Sequence, residues 1–218
     1  MKQLAILISA SILLMLGCAP KNSLTETETE LLNSLKFNIE IINKVKEKTR
    51  NPIEQLPGIS EETGEILSEP NVFEGIFSTT SEEESISFVR RSKSSFRKAG
   101  YLLFQFEGRN NENSIAVIKG IDEIDILKYR RTDGINHGLE SNDIIAKLKD
   151  WQSEYGIKII GCSRDWVHVE FDKLPSDLEA FAEEVYKFCP DSVDQGVGSI
   201  EELKKFIFQM NGVWLWWD

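Results

Sequence analysis

The apolar residues of this chain recur with two periods, and the change from one to the other marks its expected elements. Leu31, Leu35, Ile39, Ile42 and Val45 are spaced by three and four, the stripe of one amphipathic helix packed on its own domain. Ser23 and Glu26 have capping-box spacing ahead of it, and Pro52 lies just past its expected end near Thr49. Residues 51–84 lose the period. Pro52, Pro57, Gly58, Gly64, Pro70 and Gly75 punctuate them and an acidic Ser81-Glu82-Glu83-Glu84 run closes them. They read as irregular linker or loop with one short strand at 72–77. Four apolar runs then read as strands, at 86–89, 101–106, 114–118 and 124–129, with a turn over 108–111.

The last third is more regular. Ile144, Leu148, Trp151 and Tyr155 form a helical stripe that Gly156 stops. Residues 157–162 and 166–171 are two strands joined by the tight connection Ser163-Arg164-Asp165. Ser176 and Glu179 open a helix carrying Leu178, Phe181, Ala182, Val185 and Phe188, and Pro190 ends it. Ser199 and Glu202 open another with Leu203, Phe206, Ile207 and Met210. Gly212 breaks that helix, and GVWLWWD closes the sequence as a strand with two apolar faces. Trp214 and Trp216 share one face; Val213, Leu215 and Trp217 share the other. Such a strand is expected inside a sheet covered on both sides. From Ile124 the order is strand, helix, strand, strand, helix, helix, strand. The expected class is α+β: a ferredoxin-like (split βαβ) antiparallel sheet with an extra helix and additional upstream strands. The expected organisation is 1–17 signal peptide, 18–50 lipidated tether and amphipathic helix, 51–84 linker and 85–218 domain.

The first stretch, MKQLAILISASILLMLGCAP, changes the expected location. Lys2 precedes a short apolar run that ends at Gly17-Cys18. It resembles a bacterial lipoprotein signal, which implies cleavage before Cys18 and acyl chains such as palmitate on that residue. The protein is then expected on the inner or outer membrane of the cell envelope, facing periplasm or exterior. A net charge of −11 argues against nucleic acid as a partner and fits a basic protein partner. Cys162 and Cys189 remain, either as a disulfide or as two buried free thiols.

Candidate chemistry collects where three loops are expected to meet: 130–137, 162–165 and 189–196. They carry Arg130, Arg131, His137, Asp191, Asp194 and Gln195. Arg130, Arg131, Asp191, Asp194 and Gln195 together would suit a polar binding site for a small ligand or a peptide terminus; Asp191 or Asp194 as general base with His137 as acid would suit hydrolysis instead. Arg130 and Arg131 paired with those carboxylates, and Asp side chains bonded to turn backbone, would be structural. Trp214 and Trp216 are either core or an aromatic platform for a ligand. His168 beside Glu170 on strand 166–171 is read as a solvated neighbour pair. Two Asp and one distant His are too few for a metal site. The chain has no nucleophile elbow, phosphate loop or His-Glu-x-x-His motif, and no cofactor is expected.

Leu148, Trp151, Tyr155-Gly156, Cys189-Pro190-Asp191, Val193-Asp194-Gln195-Gly196 and Trp214-x-Trp216-Trp217-Asp218 together resemble the bacterial family called domain of unknown function 4253. The resemblance covers about 124–218, and Gly134-Ile135-Asn136 is similar to that family's Gly-Trp-Asn segment, with Ile135 in place of the aromatic. It implies a domain rather than a chemistry, and it marks the 189–196 loop and the terminal strand as shared parts. The resulting expectation is a lipid-anchored, non-catalytic binding or interaction module. The alternatives are an envelope hydrolase using Asp191 and Asp194, or an immunity-type protein that masks a basic toxin.

Overall fold

The computed structural model describes residues 23–218; the segment expected as a lipoprotein signal, with Cys18, lies outside the described residues. Thr25 and Glu28 form the first capping box, rather than Ser23 and Glu26, and open α1 (Glu26–Ser34). The single helix expected to Thr49 is in fact two. Lys36 turns left-handed (φ 55°), and Asn38 caps α2 (Ile39–Thr49) by accepting from Ile41 N. The break swings Phe37 into the core, where it stacks on Tyr101 at 5.2 Å. Buried Glu28 and Lys46 then tie the two helices together at 2.7 Å.

Residues 51–84 are not a linker. They supply β1 (Glu54–Pro57) and β2 (Val72–Thr79) to the same sheet as the later strands. The 86–89 run lies inside α3 (Glu82–Lys98) rather than in a strand. Ser81 caps this helix and the acidic run fills its first turn, where the helix dipole favours negative charge. β3 (Tyr101–Glu107) and β4 (Asn113–Lys119) form the hairpin that alternation indicated. The 124–129 run is α4 (Ile124–Arg130), wedged so that nearly every side is buried and no helical stripe shows. α5 (Ser141–Tyr155), β5 (Ile157–Cys162), β6 (Trp166–Phe171), α6 (Leu178–Phe188), α7 (Ile200–Met210) and β7 (Gly212–Trp216) follow where expected, although Asp177 rather than Ser176 caps α6.

The fold is α+β, with a seven-stranded mixed sheet in the order β1-β2-β4-β3-β5-β6-β7. The ferredoxin-like order is not seen, because the segment expected as its first strand is the helix α4. Only β3 and β5 run parallel, paired at Gln105–Gly161 and Phe106–Cys162. At the other end of that seam, buried Lys93 of α3 donates to the carbonyls of Leu103 and Ile159. Its ammonium pairs with Glu123 at 2.9 Å, and Glu123 accepts from Ile159 N. An ion pair thus replaces strand pairing where the two strands part.

Helices α4–α7 cover one face, packing Trp151, Phe181 and Ile207 on Phe104, Val169 and Leu215. Helices α1–α3 pack Leu32, Ile42 and Phe96 on Leu103 and Val117 of the other. β7 is an edge strand rather than an inner one. Its odd-numbered side chains are buried, while Trp214 and Trp216 are half-buried on the opposite face beside Trp166. Gly212 starts it because a Cβ there would lie 2.1 Å from Val169 O. Among the described residues no helix is long and apolar enough to cross a membrane.

Candidate functional site

Three connections meet at the end of the sheet where β3 and β5 finish. Thr132 Oγ1 donates to Ser163 O at 2.6 Å and Asp133 N to Arg164 O at 2.7 Å, docking the 130–137 loop on the β5–β6 turn. Trp217 N donates to Asp165 O at 2.9 Å, which brings in the terminus. Gly134 lies flat on the Trp217 indole, where a Cβ would come within 2.9 Å of the ring. Beside this junction opens a cleft of about 690 Å³ whose walls include Arg109, Arg130, Arg164, Asp165, Trp166 and Trp216. Such a polar, partly aromatic concavity at strand ends is where binding sites commonly form.

Arg130 stands out within it. It is buried, with 4 % of the residue exposed. Nη1 donates to Gly64 O at 2.9 Å, Nε has no partner, and no carboxylate pairs with it among the described residues. Burial lowers its affinity for the proton, and Cys162, Tyr129, Asp165 and Glu107 oppose that shift from a distance. Guanidinium nevertheless stays charged in proteins. Burial also pushes the neighbouring Cys162 thiol up to about 12, so it stays protonated. The other two arginines are engaged. Arg164 pairs with Glu65 and, at 3.9 Å, with Asp133; Arg109 donates to Leu67 O.

Asp191 sits on the far side of the junction as a hub. Oδ2 meets His137 Nε2 at 2.6 Å and accepts from Asp218 N at 2.9 Å, and Oδ1 accepts from Gln195 at 3.1 Å. Burial alone would raise this carboxyl, but the bonds from Asp218, His137 and Gln195 outweigh it and hold it below its ordinary value. The same loop covers the outer edge of β7. Cys189 Sγ bonds both O and N of Trp216, and Ser192 Oγ donates to Trp214 O. An edge strand normally leaves such groups open to pairing with another chain, and here side chains occupy them. A π-helical turn, Ser192–Val197, gives the loop the width to reach both.

Residues 114–218 match the model of a family described as Domain of unknown function (DUF4253). This stretch of the chain is a member of that family. No curated protein and no solved structure matches the chain. The domain starts ten residues earlier than the 124 expected from its motifs, at β4. It does not contain β3, which lies between β4 and β5 in the sheet. The upstream half therefore completes the DUF4253 domain, and the cleft draws Glu65, Glu107 and Arg109 from outside it.

Within the DUF4253 domain the expected site residues separate into groups. His137, Asp191 and Gln195 come together. Asp194 instead accepts from Tyr186 at 3.2 Å. Arg130 and Arg131 do not pair with Asp191 or Asp194: Arg130 faces the cleft, and Arg131 ends α4 in a left-handed conformation. Trp216 lines the cleft, whereas Trp214 stacks between Trp166 and His168. His168 is buried rather than solvated, and its neighbour Glu170 pairs with Arg90. Cys162 and Cys189 are free, buried thiols rather than a disulfide, because Cys189 turns toward β7 and Cys162 faces the core near Arg130. Sequence reasoning missed Arg109, Arg164 and Trp166. The only local sign was their place in or beside the turns 108–111 and 163–165, where binding residues tend to gather.

Proposed function

We propose that this chain is a non-catalytic binding module, lipid-anchored through Cys18 in the cell envelope, with its ligand site in the cleft at the ends of β3 and β5. The observation that carries the binding reading is Arg130, a buried cation without a counter-ion in the wall of a roomy polar cleft. Buried charges are otherwise paired. Support for the anchor is the short apolar run ending at Gly17-Cys18. Labelled palmitate entering the wild-type protein but not Cys18→Ala checks the anchor. The ligand site is tested by titrating the ¹⁵N-labelled full chain in non-ionic detergent with small acids, phosphates, amines, amides and sugars. Shifts at the Trp166 and Trp216 indole N–H signals are expected for at least one class. Silence there with every class removes the binding reading.

A second reading, hydrolysis, draws on the 2.6 Å contact between His137 and Asp191. Both Asp191 oxygens already accept bonds, which favours a structural role. A hydrolytic activity in purified protein that disappears in Asp191→Asn combined with Asp194→Asn, with folding intact, would reverse this preference. The charge of −11 leaves a basic protein as the partner class to seek on the outer surface.

A further inference from the structure

We propose that the cleft takes a singly charged carboxylate and that Arg130 holds it. This rests on the reading that the cleft is a ligand site. The charges in its wall decide the class. Arg164 is matched by Glu65 and Asp133, and Glu107 accepts from Trp166 Nε1 at 2.6 Å. Arg130 alone among the three lining arginines combines burial with an unpartnered nitrogen. The wall's three arginines already face three carboxylates, Glu65, Glu107 and Asp165, so Arg130, buried and short of an acceptor, favours a ligand with a single negative charge. A phosphate dianion would bring a second, against Glu65, Glu107 and Asp165 in the same wall.

Shape points the same way. Nη1 is committed to Gly64 O, which leaves the Nε side of the guanidinium without an acceptor. A planar carboxylate has the two oxygens that this fork-shaped donor set matches. The indoles of Trp166 and Trp216 offer an apolar wall for the carbon skeleton that a carboxylate carries and inorganic phosphate lacks. About 690 Å³ accommodates either a small organic acid or the C-terminal residues of a peptide. Both present the same group.

The test uses the full chain in non-ionic detergent, with binding followed by calorimetry and by the Arg130 Nε–H resonance. The probes are N-acetylglycine, its uncharged amide, inorganic phosphate, and a short peptide with a free or an amidated C-terminus. The carboxylates are expected to bind at least about 10-fold more tightly than their amides and than phosphate, and to move the Nε–H signal. Preference for N-acetylglycine or for the free peptide identifies the natural source; either supports the proposal. Arg130→Lys, which keeps the charge but not the fork, is expected to weaken carboxylate binding at least about 10-fold. If that variant does not fold, the wild-type Nε–H shift and the amide comparison still decide. Equal binding of acid and amide, tighter binding of phosphate, a still Nε–H signal, or unchanged binding in folded Arg130→Lys each overturns the proposal. Cleft shifts with phosphate or another class, but not with carboxylates, would leave the ligand site standing and remove only the carboxylate.

Discussion

Replacing Asp191 tests whether the carboxylate most suggestive of catalysis is instead a structural clamp. Its side chain accepts three hydrogen bonds, from His137, Gln195 and the backbone N–H of Asp218. Bonds to a charged group contribute roughly 1.5–3 kcal/mol each when counted alone, less when neighbours share one acceptor and can reach water. His137 is partly exposed, at 27 % of its side chain, so part of its bond is recovered from solvent after truncation. Asp191→Ala is therefore expected to lower stability by about 2–4 kcal/mol. Asp191→Asn keeps one acceptor oxygen where Oδ2 stands, and Gln195 can turn its amide to meet the new NH₂. That variant should cost about 1 kcal/mol. Urea unfolding followed by tryptophan emission measures both. A cycle with His137→Ala should show coupling of about 1 kcal/mol. The sign with pH follows from the lowered carboxyl. Its contribution is full above the ordinary value of 3.8 and disappears as pH falls through the folded-state value. Less than about 0.5 kcal/mol lost in Asp191→Ala, or equal losses for Ala and Asn, would refute the clamp.

Gly212→Ala must push Val169 O away from 2.1 Å, and should destabilise by about 3 kcal/mol or more or prevent β7 from docking, read by loss of tryptophan anisotropy. Glu123→Gln leaves the Lys93 ammonium buried without its counter-charge and should cost about 3–5 kcal/mol in urea, with Lys93→Met in the same chain restoring part of it. Burial, aided by Arg90, pushes His168 down to about 4. Because the folded value is the lower one, its contribution is complete above 6.5 and is lost as pH falls from 6.5 toward 4, by up to about 3 kcal/mol. His168→Phe should flatten the stability profile of that window, and an unchanged slope between pH 6.5 and 5 would contradict the assignment.

Much of the fold was legible in residue order alone. Strands β3 to β7 and helices α5 to α7 carry long, clean periods, and their stops at Gly156, Pro190 and Gly212 are local chemistry. Short apolar runs were not legible in this way. Residues 86–89 and 124–129 read as strands, because a short apolar run carries no period that separates strand from buried helix, and what made them helices was the cap at Ser81 and a place between sheet and neighbouring helix. The meeting of three loops followed from the order of elements, but not the roles inside it. Asp191 and Cys189 became a clamp on the terminal strand because β7 lies at the sheet edge, where its outward backbone needs partners. The cleft was still further from view, since Glu65, Arg109, Arg130, Arg164 and Trp216 come from distant stretches of the chain. Periodicity is set by how a side chain alternates about its own backbone, so the sequence determined it. Which strand lies beside which, and whose charge is left without a partner, depends on packing between residues far apart in sequence, and only the tertiary structure decided that.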